Sequence, residues 1–301
     1  MTTNLSSIEQ SNREQIEQLE KPKSPTQIAV RTLWKNRSGM IGLAIILVML
    51  IIAILSPVLA PYDPLEMHAE DRFHPPSAPY YLGTDEFGRD ILSRILIGSR
   101  VAFSVGLVSV GLSTIMGVSI GLVAGYKGGK FDSVVMRFFD ALLAFPAILL
   151  AIIILAVLGP GAFNAILAIA IVTTPAFARL TRANVLVEKS KTYVEVSLSV
   201  GAKPSRIMSR HILPNVSSTI LVHVTIAMAS AILLESALSF LGLGTPLPAP
   251  SWGSMLSIGR GFMHLAPWYS IFPGLAIMIL IMGFYLLGDG LRDALDPRRR
   301  K

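Results

Sequence analysis

The run ALLAFPAILLAIIILAVLGPGAFNAILAIAIVTTPAFA, residues 141–178, holds 38 residues without a charged side chain. One helix of that length would reach roughly 57 Å at about 1.5 Å per residue, against a hydrocarbon core of about 30 Å. The run must therefore turn back, and Gly159-Pro160-Gly161 is the place, giving two antiparallel spans at 138–158 and 162–180. Pro146 and Pro175 interrupt these spans, because proline removes a backbone donor; a hinge and a static bend are both open readings.

Further uncharged windows lie at 38–62, 101–126, 211–234, 236–259 and 261–288. The region 242–270 is broken by Pro246, Pro248, Pro250 and Pro267, so it reads as an outer loop with a short interfacial or re-entrant segment. The expectation is an all-α polytopic membrane protein with six transmembrane helices, at 39–60, 101–125, 138–158, 162–180, 214–241 and 269–288. A cytosolic segment 1–38 precedes the transmembrane domain 39–288, and a basic cytosolic tail 289–301 follows. Within 1–38, residues 26–38 mix Ile28, Val30, Leu33 and Trp34 with basic residues, as expected of a helix lying on the inner membrane surface.

Composition agrees with a bilayer protein. Of 301 residues, 52% are hydrophobic and only 15% charged, which excludes an ordinary soluble domain. The absence of cysteine excludes disulfides and thiolate metal sites. A net charge of +7 would fit nucleic acid, but its placement is topological. With both termini inside, 21 of the 26 Lys and Arg fall on the cytosolic side and 5 outside. This reads as a multi-pass membrane protein with both termini cytosolic. About 38 polar residues precede the first span, so it is read as retained and not cleaved.

Between spans four and five lies YVEVSLSVGAKPSRIMSRHILPN, residues 193–215. A helix through Glu195 and Leu198 ends at Gly201, which accepts the left-handed conformation that closes helices. Pro204 suits a first helical position, so 204–212 reads as a short amphipathic helix, with Ile207, Met208 and Ile212 apolar and Arg206 and Arg210 at the water boundary. Pro214 starts the next apolar run.

Glu195, Gly201 six residues on, and Leu213-Pro214 follow the spacing of the EAA loop of bacterial ABC importer permeases, with Val196, Ser197 and His211 departing from its residue types. LGTDEFGRDILSRILIGSR (82–100), ALLAFPAILLA (141–151), PAFARLTR (175–182), ESALSFLGLG (235–244) and LGDGLRDALDP (287–297) are similar, in order, to the peptide and nickel permease branch. The resemblance implies the type I ABC importer permease fold with a coupling helix between spans four and five. It implies an ATPase-docking loop at 182–213, in which Glu195 and Gly201 shape the chain and Ala202, Lys203, Pro204, Ser205, Arg206, Ile207 and Arg210 enter a cleft on the ATPase. It also implies partners: a second homologous permease completing the pathway, ATP-binding cassette subunits carrying ATP and Mg, and an extracytoplasmic binding protein. Short peptides are the implied cargo, with nickel complexes, metallophores and glutathione as alternatives.

The chain is not expected to be an enzyme. GYKGGKFDS (125–133) lacks the Ser/Thr and the leading glycine of a phosphate loop, and His68, His74, His211, His223 and His264 show no metal-ligand spacing. No cofactor or metal is expected on this chain. Within the membrane, Glu235 costs several kcal/mol unless paired, protonated or facing water. It is read as a pathway or gate residue near the outer mouth, or as a structural group paired with Arg260. Ser218, Thr225, Ala229 and Ser236 share one face of span five, lining a polar path or allowing close packing. The outer loop 62–100, with seven acids and four arginines, either meets a binding protein or is a solvated connection. Trp252, Trp268 and Tyr269 fit an aromatic belt at the outer interface. A different class, an ion-coupled secondary transporter using Glu235, stays open; no internal repeat favours it.

Overall fold

The computed structural model describes residue 32 and residues 34–295. Most of the surface helix expected at 26–38, and tail residues 296–301, lie outside these. The described residues form nine α-helices: α1 (Arg37–Leu59), α2 (Ile91–Lys127), α3 (Gly129–Leu143), α4 (Ala147–Leu158), α5 (Ala162–Lys189), α6 (Thr192–Ser199), α7 (Pro204–Phe240), α8 (Trp252–Gly259) and α9 (Trp268–Leu295). Five of them are long and apolar enough to cross a membrane, and α3 with α4, bent by 95°, makes a sixth passage if counted as one span. The chain alternates between a loop end, near residues 128 and 190–203, and a cap end formed by 60–90 and 242–267.

The long apolar run folds back at Gly159-Pro160-Gly161, where Gly159 and Gly161 take positive φ and the Asn164 side-chain amide donates to Leu158 O at 2.8 Å. The 138–158 segment is divided between two helices. Pro146 disfavours helical backbone at Phe145 and cannot donate, so the chain bends between Leu143 and Ala147. Pro175, by contrast, sits inside a continuous α5.

The helix expected at 204–212 is continuous with the following span. A π-helical turn, Met208–Ile212, absorbs Pro214: Leu213 donates to Met208 O, five residues back, and the helix runs on to Phe240. Residues 289–295 likewise extend the last helix. At the loop end Asn36 caps α1, accepting from Gly39 N at 3.0 Å, and donates to Asp293 of α9 at 3.1 Å.

Close packing rests on small residues. A Cβ at Gly117, Gly121 or Gly125 of α2 would stand 2.5 Å from Phe177 Cβ, 2.3 Å from Ala178 O or 2.9 Å from Val185 Cβ. The four-residue spacing therefore holds α2 against α5 at backbone distance. Their apolar faces, with those of α7 and α9, form the main core around Val105, Phe177, Ile232 and Leu280.

Candidate functional site

The loop end is built by a chain reversal with an anchored inner face. Gly201, at φ +79°, ends α6 in a Schellman arrangement: Gly201 N donates to Leu198 O at 2.9 Å and Ala202 N to Ser197 O at 3.0 Å. Pro204 then opens α7. Val194, Ile207 and Ile212 are fully buried and pack with Val185, Val216 and Ile220, while Ala202 lies against the same cluster. Ile207, expected in the docking set, is thus an anchor of the loop.

The opposite face is open. Glu195, Gly201, Lys203, Pro204, Ser205, Arg206 and Arg210 are exposed, and Ala202 is half-buried. Val196, Leu198 and Val200 are exposed beside them, with Val200 at 78%. The exposed surface thus combines apolar side chains with the basic groups of Lys203, Arg206 and Arg210. Sequence reasoning assigned these apolar side chains no role, although their place in a polar stretch was the available signal.

The polar ties of this loop come from Glu188. Its buried carboxylate takes Lys191 Nζ at 2.6 Å and the Tyr193 hydroxyl at 2.5 Å, and Asn215 Nδ2 donates to the same hydroxyl at 3.3 Å. Burial, then the bond to Glu188, pushes the Tyr193 hydroxyl up to about 12, so it stays a donor at neutral pH. Lys189 donates to Tyr126 O at 2.6 Å, joining the loop to the end of α2. The ends of α2, α5 and α6 and the start of α7 therefore form one fixed unit.

At the cap end, segment 82–94 is folded and its charges are internal, whereas Asp63, Glu66, Glu70 and Arg72 before it are exposed. Asp85, with its side chain fully buried, accepts from Phe87 N at 2.9 Å, Arg89 N at 3.0 Å and Arg89 Nε at 2.7 Å; Arg94 Nε lies 3.4 Å away. Arg89 also reaches Glu86 at 3.1 Å, and Arg94 donates to Pro64 O at 2.8 Å. Asp90 caps α2 through Ser93 N at 2.8 Å. A solvated connection is therefore not what 82–94 forms. Burial and a hydrogen bond to Asp71 push the Tyr80 hydroxyl up to about 12, so this tie also persists at neutral pH.

Trp252 and Tyr269 are buried here and do not form a surface belt; Trp252 Nε1 donates to Ile95 O at 3.0 Å and Trp268 Nε1 to Thr84 O at 3.3 Å. The short helix α8 packs against α7 so closely that a Cβ on Gly253 would stand 2.1 Å from Ser236 O.

Glu235 is 2% exposed and does not meet Arg260, which stacks over Phe240 at 5.6 Å. Ser239 Oγ donates to Glu235 Oε1 at 2.7 Å, and Thr245 N donates to Ser239 Oγ at 3.4 Å. Glu235 thus supports the turn where α7 enters the cap. Glu235→Gln keeps an acceptor for Ser239 and is expected to keep the thermal midpoint of the purified complex. Glu235→Ala strands that hydroxyl and is expected to cost about 1–3 kcal/mol. Equal midpoints for all three proteins would refute the supporting role.

The face read as either a polar path or a packing surface is divided. Ala229 is 1% exposed and Ser236 is buried against α8. Thr225 is buried, its Oγ1 lying 2.7 Å from where a Cβ on Gly288 would be, and it also borders a cavity of about 800 Å³ between α1, α2 and α7. Ser218 is half-buried. Ala229 and Ser236 hold α7 to its neighbours. Among the described residues, no three His, Cys, Asp or Glu side chains gather as a metal-binding group.

Comparison with known proteins supplies the family context. Residues 117–301 match the family described as "Binding-protein-dependent transport system inner membrane component", and residues 24–76 match the "N-terminal TM domain of oligopeptide transport permease C". The chain is 45% identical over 277 residues to the "Dipeptide transport system permease protein DppC" of Alkalihalophilus pseudofirmus, covering 92% of this chain and 91% of that one. It is 44% identical to the protein of the same name from Haemophilus influenzae, covering 93% and 97%. It is 45% identical to the "Glutathione transport system permease protein GsiD" of Pectobacterium atrosepticum, covering 90% and 93%. Among solved structures, a chain of the inward-facing MetNI methionine ABC transporter shares the fold, with a TM-score of 0.57 at 18% identity, over 68% of this chain and 98% of that one.

Proposed function

The chain belongs to the family of binding-protein-dependent transport system inner membrane components, and we propose that it forms one half of a path for short peptides. It is the permease subunit of an ABC importer, a multi-pass membrane protein of the type I permease fold, and ATP hydrolysis belongs to another subunit. The other half of the path is a second permease, homologous but different in sequence. ATP-binding cassette subunits, carrying ATP and Mg, meet the loop end in the cytosol. A solute-binding protein meets the cap end outside. Both chain termini are cytosolic in this arrangement, which follows the distribution of Lys and Arg.

The observation that carries the coupling role is the two-faced loop after α6. Val194, Ile207 and Ile212 fasten it to the spans, while exposed apolar side chains and three exposed basic ones are available to a partner. A push on Lys203–Arg210 is transmitted directly, because these residues begin the same continuous helix that crosses the membrane as α7. Shifting a two-state transporter from about 1:99 to 99:1 requires about 5.5 kcal/mol of differential binding, and a rigid handle delivers such contacts with little loss. Glu195 stands at the rim of this surface. Glutathione is a second cargo of the same chemical class, favoured by the GsiD relative.

The test is purification from the native membrane in mild detergent. The expected result is co-purification of a second permease and ATPase subunits, and, after reconstitution with the binding protein, ATP-dependent uptake of di- and tripeptides. Uptake by this chain alone, driven by an ion gradient, would overturn the reading in favour of a secondary carrier.

A further inference from the structure

A cavity of about 540 Å³ lies between the α3–α4 elbow, α5 and α7. Its α7 wall is one helical stripe, His223, Ile226, Ser230 and Leu234, spaced by three and four residues; Thr173 and Phe177 of α5 face the same space. This stripe is distinct from Ala229 and Ser236, which are buried in packing, and from Thr225, which borders a separate cavity between α1, α2 and α7.

Three polar groups interrupt an otherwise apolar wall. The Thr173 hydroxyl donates to Ile169 O at 2.8 Å and the Ser230 hydroxyl to Ile226 O at 3.1 Å. Each uses its proton within its own helix and presents oxygen lone pairs to the cavity. The His223 ring stands edge-on to Phe177 at 4.6 Å, and among the described residues its nitrogens have no hydrogen-bond partner. An imidazole at this depth is unfavourable in hydrocarbon and is accommodated when it faces water or a polar solute. One helical turn toward the loop end from the lining residues Leu143 and Ala176, Asp140 pairs with Arg179, so the cavity leads toward charged surface.

We propose that this cavity is the chain's half of the solute path, and that His223, Thr173 and Ser230 contact the main-chain amides and terminal carboxylate of a short peptide. The inference rests on the importer reading above. A peptide backbone brings both donors and acceptors, matching an imidazole that serves as either and hydroxyl oxygens that accept. The apolar remainder of the wall makes no polar demand on peptide side chains, which suits a path indifferent to sequence.

The chain contains no cysteine, so single replacements report on accessibility without further changes to it. In the reconstituted complex, Ser230→Cys and Thr173→Cys are compared with Ser236→Cys and Ala229→Cys, both at buried packing positions, using a charged methanethiosulfonate reagent. The reactive species is the thiolate, which forms in water and not in lipid or a packed interface. The expected result is modification of the first pair at least ~10-fold faster than the second, slowed when trialanine-loaded binding protein and ATP are present. In parallel, His223→Ala is expected to raise the KM for trialanine uptake about tenfold, with His223→Asn, which keeps a donor and an acceptor, recovering part of the loss. Equal or reversed labelling rates, or His223→Ala uptake identical to the parent, would overturn the proposal. Failure of the importer reading is separately visible, as uptake by the parent complex that does not need ATP.

Discussion

Gly201→Val is expected to remove most transport-linked ATP hydrolysis while leaving the chain inserted and the spans folded. Gly201 holds φ +79°, and a Cβ there would meet nothing within 4 Å. The glycine is therefore required for backbone conformation and not for space. A β-branched residue in this region carries a strain of about 1–3 kcal/mol, equivalent to a roughly 5- to 150-fold shift between the native reversal and alternatives. The alternatives lose the two Schellman bonds and turn the exposed surface of α6 away from Lys203 and Arg206. Gly201→Asn is expected to retain much of the activity, because asparagine tolerates this conformation better than other residues. Stimulation of ATPase activity by peptide-loaded binding protein, measured on the reconstituted complex, reads the effect. Normal stimulation with valine would remove the reversal from the coupling route.

Asp85→Ala is expected to be the most destabilising substitution at the cap end. Its carboxylate is the shared partner of Arg89 and Arg94, whose side chains are 3% and 0% exposed, and it also holds two backbone donors. Removing it leaves two buried guanidinium groups without that counter-charge. Breaking a buried pair in this way costs about 3–5 kcal/mol. The cap couples the start of α2, α8 and the start of α9 around Ile91, Met255, Ala266 and Tyr269, so its loosening reaches three helices. Thermal unfolding of the purified complex should show a large fall in midpoint for alanine. Asp85→Asn should give a smaller fall, since its amide oxygen can still accept the Phe87 and Arg89 backbone donors. A midpoint unchanged by alanine would mean that water already satisfies both arginines.

The candidate site was only partly legible before folding. Gly201, Pro204 and the basic face after them follow from local rules, and the structure forms the reversal at that glycine. The anchoring role of Glu188 was not visible, because nothing near it in sequence reveals that Tyr193 and Asn215 converge on one carboxylate region. His223 was likewise noted only for its lack of a metal motif. Its importance rests on which side of α7 faces the elbow.

Hydropathy and length are properties of consecutive residues, and they alone determined the apolar runs, the fold-back at Gly159-Pro160-Gly161 and the proline-broken region after Gly242. Chain reversal at Gly201 is equally local, since it depends on one residue's steric freedom. The tertiary structure decided the rest. Both Ala229–Ser236 and His223–Ser230 carry small or polar residues at helical spacing, and only the neighbours of α7 determine that the first pair packs while the second lines a cavity. Charge counts made 82–94 look suited to water, yet Asp85, Arg89 and Arg94 neutralise one another inside the cap. Burial and helix rotation depend on partners distant in sequence, which a reading of local pattern does not contain.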